Sequence, residues 1–218
     1  MELLNDADVR ALGSLIEKEL TTPEHYPLSL NALTNACNQS SNRDPVVQFD
    51  EATVKAAVDR LRKYSLVRSI QRSDARVMKY MHLMGEAMSL ERPELAAMCV
   101  LMLRGPQTVG EIRTRGSRLF EFQSLEEVEA TLNTLITRLP SPLVARLARQ
   151  PGQKEARYAH LLSGEVTVDA SPATAIHVRA DVPAEPDRLG ALERTVDELR
   201  SEVADLRAEV EGFRRLLE

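Results

Sequence analysis

The chain repeats itself once, and that repetition constrains its fold more than any other feature. Residues 6–84 and 92–163 each read as three helical segments followed by two short extended segments around a turn. A supersecondary unit written twice in the same order is expected to fold twice in the same way.

In the first copy, Asp6 stands where it can cap a helix on which Val9, Leu12, Leu15, Ile16 and Leu20 recur at helical spacing. Thr21-Thr22-Pro23 ends it, because the residue before a proline disfavours helical backbone. Ser29 caps a short second helix carrying Leu30, Leu33 and Ala36, and Asp50 caps a third with Val54, Ala57, Val58 and Leu61 on one face. Segments 66–72 and 76–83 then flank the turn-forming triplet Ser73-Asp74-Ala75. In the second copy, Pro93 sits in a first turn, where its missing N–H costs no hydrogen bond, and Gly105-Pro106 ends the apolar helix at 95–103. Thr108 caps the second helix over 109–115. Ser124 with Glu127 three residues on forms a capping-box pattern for the third, which is expected to bury Leu125, Val128, Leu132 and Leu135. Segments 143–149 and 156–162 flank the turn Pro151-Gly152-Gln153-Lys154.

Three helices closed by a β-hairpin is the winged-helix form of helix-turn-helix, whose third helix enters the major groove while the hairpin forms the wing. The expected fold is therefore mainly α with small β-hairpins, in the α+β class. One winged-helix domain covers 1–85, a second 86–164, a flexible linker 165–186 and a coiled-coil helix 187–218. Winged helices also hold proteins, so the fold by itself leaves both kinds of partner open.

Charge sharpens the choice. The net charge of −5 is carried wholly by residues 166–218, with seven Lys and Arg against twelve Asp and Glu, while 1–85 and 86–165 each balance. Within 53–80 there are eight Lys and Arg against two acids, Asp59 and Asp74. A helical wheel turns Lys55, Asp59, Arg62 and Lys63 away from the apolar face of the third helix, and the hairpin adds Arg68, Arg72, Arg76 and Lys79. Such a patch can release counterions from a phosphate backbone. Arg43 joins these candidates as the charged member of the loop 38–45, which is dense in amides and hydroxyls; the same groups also suit capping and turn chemistry. The corresponding helix of the second copy opens with Glu126, Glu127 and Glu129, which suit a helix N-terminus and repel phosphate there. Its cations lie elsewhere, at Arg113, Arg115, Arg118, Arg146, Arg149, Lys154 and Arg157. Domain one is expected to lead in contact with double-stranded DNA, and domain two to assist by its wing or to bind protein.

The tail carries its own periodicity. Leu189, Leu192, Val196, Leu199, Val203, Leu206, Val210, Phe213 and Leu217 alternate spacings of three and four. With Leu189 at position a, valines recur at a and leucines at d, the pattern of a parallel two-stranded coil. Glu202 and Glu209 would face Arg207 and Arg214 of the partner chain. A homodimer is expected.

Other chemistry is not written here. No Gly-rich phosphate loop, G-x-S-x-G, H-E-x-x-H or C-x-x-C occurs, so no enzyme and no cofactor is expected. Cys37 and Cys99 are unpaired in spacing and read as buried apolar residues; His25, His82, His160 and His177 are scattered singly. Met78, Met81, Met84, Met88, Met98 and Met102 fall where packing would use them. No run of 18 apolar residues exists, and the acidic start MELLNDADVR is unlike a signal peptide, so a cytoplasmic protein without a membrane partner is expected.

The stretches LIEKELTTPEHYPLSLNALTNACNQSSNRDP, RVMKYMHL and RGPQTVGEIRTRGSRLFEF closely resemble the YceH-like family of bacterial proteins, over roughly residues 3–163. The resemblance implies a tandem winged-helix fold, and it implies no reaction, cofactor or ligand. Two functions stand: a DNA-binding dimer acting as a transcriptional regulator, and a protein-interaction scaffold without direct DNA contact.

Overall fold

A computed structural model describes residues 3–71, 77–149, 153 and 155–164. The expected linker 165–186 and coiled-coil helix 187–218 lie outside the described residues, as do Arg72, Arg76 and Lys154.

The described chain is α+β. The first copy comprises α1 (Asp6–Thr21), a 3-10 turn (Pro23–His25), β1 (Leu28–Ser29), α2 (Leu30–Cys37), α3 (Glu51–Lys63), β2 (Val67–Ile70) and β3 (Lys79–His82). A single-turn helix α4 (Met84–Ala87) leads to the second copy: α5 (Arg92–Arg104), α6 (Val109–Gly116), α7 (Leu125–Thr137), β4 (Val144–Arg146) and β5 (Tyr158–His160).

Helix starts follow the local chemistry. Ser29, Asp50, Thr108 and Ser124 each accept from the backbone N–H three residues on, at 2.7–3.2 Å. The cap of α1 differs from expectation. Asn5 Oδ1 accepts from Asp8 N at 3.0 Å and Asp8 Oδ2 from Asn5 N at 3.1 Å, so two orphan donors are satisfied reciprocally and Asp6 becomes the first helical residue. Gly105, at φ +68°, ends α5 in a conformation that a side chain disfavours.

The two sheets are built alike. In the first, the antiparallel order is β1-β3-β2, with Leu28 opposite Tyr80, Arg68 opposite Met81 and Ile70 opposite Lys79. The third strand, β1, was not expected: two residues are too few to show alternation. In the second, β4 pairs with β5, and Gln107 forms a single bridge to Tyr158. Gln107 directly precedes the cap of α6, as β1 directly precedes α2, so even this detail recurs in both copies.

One core runs through both copies. Leu12, Leu15 and Ile16 of α1 and Met98 and Leu101 of α5 are fully buried within it. Every residue of α5 from Glu94 to Leu103 is buried, which an all-round apolar helix requires. The helices approach closely at Gly13, where a Cβ would lie 3.0 Å from Leu103 Cδ2 and 3.2 Å from Met102 Cβ. Cys37 and Cys99 are both buried and free.

Two packing expectations are corrected. Leu125 is 44% exposed, because it falls in the first turn of α7 outside the inner face of Val128, Thr131, Leu132 and Leu135. Met78, just before β3, is 39% exposed, whereas Met84, Met98 and Met102 are core.

Candidate nucleic-acid interface

Helix α3 is held by one face. Val54, Ala57, Val58 and Leu61 are buried, at the i, i+3, i+4, i+7 positions that a single stripe demands. The opposite face presents Ala52, Lys55, Ala56, Asp59, Arg62 and Lys63, all exposed or half-exposed. Two of its cations share one acid. Lys55 Nζ lies 2.5 Å from Asp59 Oδ2, and Arg62 Nη1 lies 3.5 Å from Asp59 Oδ1. The hydrogen bond from Lys55 is the main cause holding the Asp59 carboxyl below its ordinary range, so Asp59 stays charged and offsets one cation. Lys63 has no partner among the described residues. Arg60, from the same helix, turns elsewhere: Nη2 meets the buried Asp8 of α1 at 2.9 Å and ties the two helices together.

The hairpin continues this surface chemistry. Because strand side chains alternate, the pairing puts Arg68, Ile70, Lys79 and Met81 on one face, while Val67 and Tyr80 are buried on the other. Arg68 and Lys79 are exposed. Lys55, Arg62, Lys63, Arg68 and Lys79 are thus all available to solvent on consecutive elements.

Arg43 is a correction. Its side chain is fully buried, with Nη1 on Glu17 Oε1 at 3.2 Å and Nη2 on Glu17 Oε2 at 2.6 Å. It also donates to Ala36 O and Asn42 O. Arg43 serves the fold, and it leaves the candidate surface. The rest of its loop does similar work. Asn38 closes a pair of 2.8 Å hydrogen bonds with the backbone of Phe49, Asp44 N donates to Leu103 O at 2.9 Å, and Arg10 reaches Pro45 O at 2.6 Å. Loop 38–45 therefore fastens the first copy to α5.

In the second copy, Glu126, Glu127 and Glu129 stand in the first turns of α7. The Ser124 hydroxyl is the main influence lowering the Glu126 carboxyl, and Glu127 Oε2 accepts from Gln123 N at 2.6 Å. Its cations are mostly engaged. Arg113 donates to Phe122 O and Gln123 O, Arg115 pairs with Glu111 at 3.3 Å and hydrogen-bonds Gln107, and Arg157 pairs with Glu111 at 3.0 Å. Arg118 and Arg146 have no partner among the described residues. No group of three or more His, Cys, Asp or Glu suited to a metal ion occurs among the described residues, and none of their helices is long and apolar enough to cross a membrane. The nine expected dimer residues, Leu189 to Leu217, lie outside them.

Sequence reasoning overlooked the two alanines of the outer α3 face. Their signal was available as Ala52 and Ala56 at helical spacing, but small residues draw no attention in a search for charge.

Residues 4–153 match a family model described as "Protein of unknown function, DUF480". Over 214 residues the chain is 51% identical to a UPF0502 protein of Pelobacter propionicus, covering 97% of each chain. It is 47% identical over 200 residues to a UPF0502 protein of Opitutus terrae, covering 92% of this chain and 84% of the relative. With a UPF0502 protein of Aliivibrio salmonicida it shares 44% identity over 212 residues, covering 94% and 96%.

Proposed function

The chain belongs to the DUF480 family of bacterial proteins, and from the geometry of its first module we propose that it binds double-stranded DNA as a tandem winged-helix protein without enzymatic activity. Each copy has the element order of a winged helix, with the third helix before the hairpin. The observation that carries the reading is the outer face of α3. Nothing in the described chain covers it, Ala52 and Ala56 let the helix backbone come close to a groove wall, and Lys55, Arg62 and Lys63 flank them. A B-DNA major groove admits one such helix. Arg68 and Lys79 add two exposed cations on one face of the hairpin.

The regulator is read as a homodimer joined by the coiled coil at 187–218. The heptad register of the tail supports this. A second reading, a protein scaffold, is favoured at one place. The start of α7 combines the acidic side chains Glu126 and Glu127 with an exposed Leu125, a surface that suits a protein partner better than a polyanion.

The test is a salt titration of duplex DNA affinity by fluorescence anisotropy. Replacing Lys55, Arg62 and Lys63 together by Ala is expected to weaken binding at least tenfold at low salt. The slope of log K against log salt should flatten by about two to three, at about 0.9 per lost phosphate contact. An unchanged affinity and slope removes this face from the account and leaves the scaffold reading.

A further inference from the structure

Where α1 ends beside the 38–42 loop, a groove of about 310 Å³ opens between the two copies. Its walls include Lys18 of α1, Ser41 and Asn42 of the loop, and Arg118 from the segment after α6. The acid on its wall, Glu17, is held by two N–H groups of Arg43. A smaller recess shares Glu17, Asn42 and Arg118 with the groove and adds Arg104 and Arg115. Four cations therefore gather round a carboxylate that a fifth already neutralises.

These cations are unevenly engaged. Arg115 pairs with Glu111, and Arg104 donates to Asn42 Oδ1 at 2.5 Å. Lys18 makes only long approaches, 3.4 Å to Gln39 Oε1 and 3.9 Å to Glu17 Oε2. Arg118 has no partner among the described residues. Crowding of like charge registers on Arg104, whose guanidinium is pushed below its ordinary pKa first by burial and then by Arg115 and Arg43. The C-terminal end of α1 would by itself repel an anion. One of its four terminal carbonyls is covered, however: both the N–H and the hydroxyl of Thr22 donate to Lys18 O.

We propose that this groove binds a phosphate group, gripped by Arg118 and Lys18, with the Ser41 hydroxyl and the Asn42 amide as neutral donors. Arg104 holds the oxygen of the Asn42 side chain and so leaves its NH₂ to donate. A guanidinium matches phosphate oxygens two at a time, and a lysine beside it supplies a compact second charge. Because Lys18 and Arg118 come from different copies, the bound group bridges them. The phosphate is that of a free phosphorylated small molecule or of a nucleic-acid backbone, and the site does not depend on the α3 face.

The experiment titrates the full-length protein with pyrophosphate by calorimetry at constant ionic strength, and separately with a short DNA duplex. It compares the wild type with Arg118→Ala, Lys18→Ala and, as a control that does not line the groove, Arg146→Ala. Arg118 and Arg146 are exposed and unpaired among the described residues, so an unchanged thermal midpoint checks that the variants fold. Arg118→Ala and Lys18→Ala should each weaken pyrophosphate binding about tenfold while Arg146→Ala leaves it unchanged. If DNA affinity is then untouched, the source is a free phosphorylated ligand; if it falls with them and pyrophosphate competes with the duplex, the source is the backbone. The triple variant of Lys55, Arg62 and Lys63 should bind pyrophosphate like the wild type, which separates this site from the α3 surface. The proposal is overturned if neither pyrophosphate nor DNA binding responds to Arg118→Ala and Lys18→Ala, or if Arg146→Ala weakens pyrophosphate binding equally.

Discussion

At the scale of single residues, the most consequential side chain is one whose surroundings change its meaning. Arg43 stands in a loop of amides and hydroxyls, and from the sequence it reads as a surface cation. It is instead buried against Glu17, 26 residues away, in a two-pronged ion pair. Local composition cannot reveal such a pairing, because only the packing of α1 against the loop brings the partners together. A buried pair of this kind is costly to break from one side, since the remaining charge has neither water nor partner. Arg43→Met is therefore expected to destabilise the fold by about 3–5 kcal/mol, read as a lower urea midpoint. Adding Glu17→Met should recover much of that loss, because no lone charge then remains. A single variant as stable as the wild type contradicts this account of loop 38–45. The same comparison explains why Lys55, Arg62 and Lys63 stay candidates. Asp59, the acid that pairs with Lys55 and Arg62 among the described residues, is itself half-exposed, and exposed pairs of this sort contribute about 1 kcal/mol or less.

At the scale of elements, what sequence made legible was local and what it hid was not. The caps at Ser29, Asp50, Thr108 and Ser124 are visible because cap and helix are neighbours in the chain. Asn5 displaced Asp6 by one position because both residues can cap, and only the return bond from Asp8 decides between them. Leu125 was misplaced because a first-turn residue fits the heptad spacing of the inner face without reaching it. Hidden altogether was the closeness of α1 and α5. Gly13 carries no sequence signal of its own, yet it is where the two helices nearly touch, with Cys99 Sγ 3.4 Å from Gly13 O. A methyl group there gains up to about 1 kcal/mol of helix propensity but presses on Met102 Cβ, which cannot move without its backbone. A larger side chain meets the clash with no further propensity gain. Gly13→Val is expected to lower stability by about 1–3 kcal/mol through overpacking, measured by thermal unfolding. A rise in the midpoint shows that the helices can part at no cost, and the two copies are then less firmly joined than their shared core implies.

At the scale of the whole molecule, the acidic net charge conceals a division of labour that the proposed function uses. The front carries balanced charge with exposed or half-exposed cations on α3 and the β2–β3 hairpin, and the excess of acid falls after residue 165. An acidic pI is thus no argument against a polyanionic partner, because the field at a surface depends on where charge sits. The same tail holds the apolar heptads, and joining two chains there would give each proposed DNA-binding face a second one at high effective concentration. That consequence is testable in the full-length chain. Leu199→Asp with Leu206→Asp puts charges at two successive d positions, where a two-stranded coil must exclude water. The wild type should sediment as a dimer and the variant as a monomer, with the thermal midpoint of residues 3–164 preserved. DNA affinity should fall with the loss of the second arm, while the salt slope per chain stays constant, since each α3 face keeps its own phosphate contacts. Wild-type protein that sediments as a monomer refutes the coil. A monomeric variant that keeps full DNA affinity leaves the coil standing but detaches it from DNA binding, and the tail then serves the scaffold reading that the acidic start of α7 already favours.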